Sequence, residues 1–138
     1  MSGKIFLDSN ILVYAQDKGA PDKQKRSRKL IAELAGSGNG VISTQVMQEF
    51  YVAVTRKLAV DALAAKSIIK TFSVFEIVQV TPDLIQEAID CSILNVLSFW
   101  DALVVAAAAA ARCTTVYTED LNSGQAILGV TVKNPFLK

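Results

Sequence analysis

The stretch "IFLDSNILVY", residues 5–14, decides how the chain is read. Two apolar runs flank Asp8, Ser9 and Asn10, so a buried strand breaks at a single acid and passes directly into a short helix. That layout belongs to parallel α/β folds, where short buried strands feed helical crossovers. A lone acid in such a place is expensive to bury, and Asp8 therefore implies company elsewhere in the chain.

Working outward, residues 4–7 read as the first strand and "NILVYAQ" as a short helix. Gly19 and Pro21 mark a loop before a basic helix from about Asp22 to Ala35, which "GSGNG" (36–40) closes. "GVIS" reads as a second strand, and Ser43 or Thr44 caps a helix to about Leu58. Another helix fills about 61–73, and "FEIVQV" (75–80) alternates like a third strand. Thr81 and Pro82 open a helix to about Ile93, Ser98 opens another to Arg112, "TTVYT" is a fourth strand and "ILGVTV" a short fifth. Short strands alternating with helices predict an α/β fold, a three-layer α/β/α sandwich with a short, mostly parallel central sheet. No repeat or linker interrupts 1–138, so one domain is expected.

With 138 residues the chain has room for one core, burying roughly 68% of the surface exposed on unfolding. Hydrophobic residues make up 51% and the mean hydropathy is +0.36. The longest apolar run, Ala102 to Ala111, falls short of the roughly 20 residues of a membrane helix, and the N-terminus carries no export signal. The expectation is a cytoplasmic protein with no membrane partner. Cys91 and Cys113 lack metal-site spacing and lie in apolar patterns, so both read as packing residues. The absence of histidine excludes every mechanism built on imidazole. Net charge is +1, but Lys18, Lys23, Lys25, Arg26, Arg28 and Lys29 supply six of the fourteen basic residues within one segment.

Chemistry must then run on carboxylates, and two stand where ligands bind in open α/β sheets, outside the carboxyl ends of the strands, where two more from helices that begin at the same edge can converge with them. Asp8 ends the first strand and Asp120 follows the fourth; taken singly, either also serves as a turn former or helix cap. Glu49 flanks the apolar stripe of Val46, Met47, Phe50, Ala53 and Val54, facing either a cleft or water. Asp101 is the only charged side chain between Asp90 and Arg112, at the start of a helix apolar all round. A first-turn acid also suits the helix dipole, which does not exclude a second role. Two carboxylates about 4 Å apart repel by about 4 kcal/mol at an effective dielectric of 20, so four together call for a cation. Oxygen donors without Cys or His select Mg²⁺ or Mn²⁺.

The blocks "FLDSNILVY", "STQVMQEFY", "SFWDALVVAAA" and "YTEDLNSGQ", in that order, resemble a PIN domain of the VapC-like kind across essentially the whole chain. The closing "GVTVKNPF" resembles the end of one bacterial subgroup. The resemblance implies a PIN-like fold and a metal-dependent endoribonuclease that leaves a 5′-phosphate and a 3′-hydroxyl. It also implies the toxin of a toxin–antitoxin pair, with a cognate antitoxin as partner and a homodimer formed through apolar residues of the early helices. Asp8, Glu49, Asp101 and Asp120 match the metal-binding, catalytic acids. Asn10 and Thr118 match the supporting polar positions, and Asn122 is a further helper. Glu119 competes with Asp120 for the inward place; Thr-x-Asp is the family pattern and favours Asp120.

Lys23, Lys25, Arg26, Arg28 and Lys29 are candidate contacts for RNA phosphates or an acidic antitoxin, or a solvated helix face. Phe99 and Trp100 are either core or a stacking surface for a base. Rival readings are a PIN nuclease in RNA processing outside a toxin pair, an inactive binding domain, and a phosphorelay receiver with Lys133 as its terminal lysine. The receiver expects an acidic pair closing the first strand, where this chain has Asp8 followed by Ser9.

Overall fold

A computed structural model describes residues 3–137. The chain runs β1 (Ile5–Leu7), α1 (Ser9–Tyr14), α2 (Pro21–Ser37), β2 (Gly40–Ser43), α3 (Thr44–Lys57) and α4 (Ala62–Thr71). A 3₁₀ turn at Phe72–Val74 leads to β3 (Glu76–Val78), α5 (Pro82–Asn95), α6 (Phe99–Ala110), β4 (Thr115–Tyr117), β5 (Ala126–Ile127) and β6 (Val130–Lys133). The sheet order is β3-β2-β1-β4-β6-β5, parallel throughout except for the β5–β6 pair.

This order contains a reversal. From β1 the chain steps outward to β2 and β3 through α1 to α4, which pack against one another; it then returns past β1 to β4 through α5 and α6, which form their own pair. Right-handed crossovers taken in opposite directions place those two helix sets on opposite faces, giving the expected three layers. The reversal falls between β1 and β4, whose registers pair Ile5 with Thr115 and Leu7 with Tyr117. A crevice opens where neighbouring connections leave in opposite directions, and Asp8 and Thr118 are the first residues beyond these two strands.

The local signals act as their chemistry demands. Ser43, Thr81 and Ser98 cap α3, α5 and α6 by accepting from Val46, Leu84 and Asp101 N–H at 3.2, 3.2 and 3.1 Å. Gly38 ends α2 in the left-handed conformation, φ 76°. Gly40 is required by close approach, since a Cβ there would lie 2.6 Å from a Phe75 ring carbon. The core is built from Phe6, Leu7, Val41, Ile42, Val116 and Val132 of the sheet, covered by Val46, Phe50 and Val54 on one side and by α6 on the other. In α6 every residue from Ala102 to Ala108 is buried, as its all-round apolarity predicts. Cys91 and Cys113 are buried free thiols, and burial pushes Cys113 up to about 12.

Most boundaries shift by one or two residues from the sequence reading, and three shifts have a distinct local cause. The expected fifth strand is a hairpin, because Leu128 and Gly129 take φ values of 53° and 77° and turn β5 back on β6. The third strand shortens to Glu76–Val78, with Val80 N–H leaving the ladder to donate to Thr44 Oγ1 at 3.1 Å. The helix expected to reach Arg112 ends at Ala110: Arg112 is left-handed at φ 60°, and Cys113 N–H and Arg112 N–H donate back to Ala108 and Ala109 carbonyls at 2.9 Å. Among the described residues no single helix is long and apolar enough to cross a membrane. Exposed large apolar side chains occur on the early helices at Tyr51, Val52 and Leu63, but more of them lie along α5 and its end, at Ile85, Ile89, Ile93, Leu94 and Val96.

Candidate active site

Asp8 is 5% exposed and both of its carboxylate oxygens are engaged. Oδ1 caps α1 by accepting from Ser9 N–H at 2.7 Å, and Oδ2 accepts from the Thr118 hydroxyl at 2.8 Å. Asn10, one residue into the same helix, points its Nδ2 at three acceptors: Thr118 Oγ1 and Asp120 Oδ2 at 3.2 Å and Asp8 Oδ2 at 3.5 Å. Thr118 Oγ1 in turn accepts from Asp120 N–H at 3.1 Å. The ends of β1 and β4 are thus cross-linked by Asp8, Asn10, Thr118 and Asp120, four residues that the sequence places more than a hundred positions apart in two pairs.

Glu49 joins from α3. Ser9 Oγ donates to its Oε1 at 3.1 Å and Gln45 Nε2 to its Oε2 at 3.3 Å. Gln45 was not apparent as a site residue in the sequence, although its spacing of one helical turn from Glu49 is the available signal. It is 4% exposed and also donates to the Trp100 carbonyl at 3.2 Å, which fixes the first turn of α6, and with it Asp101, at the same edge of the sheet. Asp101 is half-buried; its N–H takes the Ser98 cap, and its carboxylate has no ion-pair partner among the described residues.

Burial pushes the Asp8 carboxyl up to about 7, with the charges of Glu49 and Asp120 adding to the rise and the Thr118 and Ser9 hydrogen bonds opposing it. The ion pairs among the described residues are Lys4–Glu76 and Lys23–Glu119, so none of Asp8, Glu49, Asp101 and Asp120 is paired with a cation of the chain. As the side chains stand, no three described Asp, Glu or Cys side chains are close enough to share a metal ion; Ser9, Asn10, Gln45 and Thr118 lie between the acids. The donor set nevertheless suits a hard divalent cation. Every group is oxygen, and the buried Asn10 Oδ1 and Gln45 Oε1 have no hydrogen-bond partner while their NH₂ groups are committed to carboxylates, hydroxyl and carbonyl.

The remaining candidates divide. Glu119 lines the same cleft as Asp120 but holds other partners: it accepts from the Tyr14 hydroxyl and, at 2.9 Å, from Lys23 Nζ, whose ammonium also lies 4.7 Å from the Tyr14 ring centre and 5.3 Å from that of Phe136. Arg28 Nε donates to the Ala15 carbonyl at 2.7 Å and Arg26 Nε to that of Pro135 at 3.2 Å. Lys23, Arg26 and Arg28 therefore tie α2 to α1, the loop after β4 and the C-terminal segment. Lys25 and Lys29 are exposed and form no ion pair among the described residues. Asn122 is exposed, and only its carbonyl is engaged, by Gln125 N–H at 3.2 Å. Phe99 is half-buried, whereas Trp100 stands 62% exposed.

The fold has solved counterparts. A toxin of Mycobacterium tuberculosis, VapC20, described as cleaving the sarcin–ricin loop, aligns with a TM-score of 0.68 at 20% identity over 85% of this chain and 92% of its own. A toxin–antitoxin complex from Klebsiella pneumoniae aligns with a TM-score of 0.72 at 17% identity, covering 96% and 98%. VapBC2 of Rickettsia felis, bound to a fragment of its promoter DNA, gives 0.69 at 19% identity, covering 94% and 97%. At such identities the likeness concerns the fold. No curated protein sequence gives a significant match. The PIN domain family model matches residues 5–125, a span that contains Asp8, Glu49, Asp101 and Asp120 and leaves no room for the receiver-domain reading. On that match, over most of its length, the chain belongs to the PIN domain family.

Proposed function

We propose that the protein is a divalent-metal-dependent endoribonuclease acting in the cytoplasm, and the toxin of a toxin–antitoxin pair. The observation that carries the reading is Asp8: a buried carboxylate at the reversal of the sheet, facing Glu49 and Asp120, with no cation of the chain beside it. Asp8, Glu49, Asp101 and Asp120 would hold Mg²⁺ or Mn²⁺, which when bound supplies the charge that activates water and offsets the phosphate. The chain's own residues set the geometry. Thr118 and the Ser9 N–H fix the two Asp8 oxygens, Asn10 holds Asp120 beside them, and Ser9 and Gln45 orient Glu49. Support for the toxin assignment comes from the solved proteins of this fold, which include toxins and toxin–antitoxin complexes. A homodimer and a cognate antitoxin belong to the same reading.

The test is incubation of the purified protein with structured RNAs, with and without Mn²⁺, beside Asp8→Asn and Asp101→Asn. Cleavage should need the metal and both acids. Cleavage without metal, or surviving both substitutions, overturns the mechanism.

A further inference from the structure

One face of α3 runs from the acids to two unused cations. Glu49, Val52, Ala53, Arg56 and Lys57 line a groove of about 640 Å³ together with Ser9 and Trp100. Ser9, Ala53 and Lys57 also line an adjoining cleft of about 380 Å³ that holds Asn10 and Asp120, so the groove is continuous with the acid cluster. Seven residues separate Glu49 from Arg56, which sets them on the same helix face about 10 Å apart. Neither Arg56 nor Lys57 forms an ion pair among the described residues, in contrast to Lys4 and Lys23.

Across the groove stands Trp100. An indole 62% exposed is an unusual thing to leave in water; the Phe99 ring meets it edge-on at 5.1 Å and 76°, and Gln45 holds its backbone at the carbonyl. An exposed ring and two unpaired cations on one groove form the recognition set of a nucleotide, with a ring for the base and cations for the phosphate.

We propose that this groove is a subsite for an unpaired nucleotide of the RNA strand, its base stacked on Trp100 and its phosphate on Arg56 and Lys57. The inference rests on the ribonuclease reading and deepens it, by making single-stranded RNA the substrate form at this position. A base already paired in a duplex has no free face to offer the indole. The phosphate binds at the Arg56 and Lys57 end, because Glu49 repels it at the other.

Trp100 is the chain's only tryptophan, so intrinsic emission reports on this ring alone. In chelator, a randomised pool of short single-stranded oligoribonucleotides should quench that emission, and the same pool annealed into duplexes should not. Arg56→Ala with Lys57→Ala should weaken the quenching titration about tenfold or more and flatten its salt dependence, and Trp100→Leu should raise KM for single-stranded RNA. If the protein cleaves RNA in Mn²⁺ while single strands leave the emission unchanged and these variants cleave like wild type, the subsite is wrong and the nuclease reading stands. Quenching without cleavage of any RNA keeps the subsite and removes the nuclease. No quenching by single strands together with no cleavage of any RNA overturns the subsite and the nuclease reading alike.

Discussion

Glu119 and Asp120 are neighbours in sequence, line one cleft and hold different residues of α1. Glu119 takes the Tyr14 hydroxyl and the Lys23 ammonium, while Asp120 accepts from Asn10 Nδ2 at 3.2 Å beside Asp8. Tyr14 stands one helical turn beyond Asn10 on α1, so the longer side chain is held at the far end of the cleft while the shorter one stands beside Asp8. Asp120→Asn is therefore expected to abolish cleavage. Glu119→Gln should retain most of it and cost about 1 kcal/mol or less in a denaturant melt, the ordinary worth of a partly exposed ion pair. Equal loss of activity in both variants would show that the two carboxylates act together.

A second expectation concerns Val96, which ends α5 at φ 54° and is 91% exposed. A β-branched residue in the left-handed region is strained by roughly 1–2 kcal/mol, and nothing packs on its side chain to offset that. Val96→Gly should raise stability by about 1 kcal/mol, with the Leu97 N–H to Ser92 carbonyl bond at 3.1 Å preserved. A thermal melt reads the sign directly.

How far the sequence could be read is clearest at particular residues. The helix caps at Ser43, Thr81 and Ser98 and the buried run of α6 were legible, because their signals are local: one hydroxyl, one period, one composition. Asp8 was legible because a strand rarely ends on an unaccompanied acid. The hairpin at Leu128 and Gly129 was not, since Leu gives no warning of φ 53°. The roles of Lys23, Arg26 and Arg28 were also hidden: a charge run in the sequence looks alike whether its side chains reach solvent or, as here, Glu119 and two backbone carbonyls. The role of Gln45 is hidden for a different reason: it depends on Trp100, fifty-five positions away.

Gln45 carries a third expectation. Its Nε2 serves Glu49 and the Trp100 carbonyl at once, from a position almost wholly buried. Gln45→Leu keeps the volume and removes both bonds, freeing Glu49 to change rotamer and unpairing a carbonyl. Loss of a residue that orients a metal-binding carboxylate typically costs 10–100-fold in activity or metal affinity. Steady-state cleavage and a Mn²⁺ titration followed by melting temperature should both fall in that range, while Gln48→Ala, at an exposed position on the same helix, should leave the melting temperature of the metal-free protein little changed.

The pH dependence of stability provides the fourth. Asp8 is raised from 3.8 to about 7 in the folded protein, chiefly by burial, so between these values the native state keeps a proton that the unfolded chain releases. Stability of the metal-free protein must then fall as pH rises through that window and level off above it; integrated, the effect is roughly 4 kcal/mol from this one group. Asp8→Asn removes the titration, so the variant should match wild type near pH 4 and exceed it at neutral pH, where wild type has paid for an unpaired buried charge. Added Mg²⁺ or Mn²⁺ should reverse the order at neutral pH by raising the wild-type melting temperature and leaving that of Asp8→Asn nearly still. Urea melts at several pH values, with chelator and with Mn²⁺, measure both effects; a wild-type curve flat from pH 4 to 7 in chelator would mean that Asp8 is not desolvated as its burial demands.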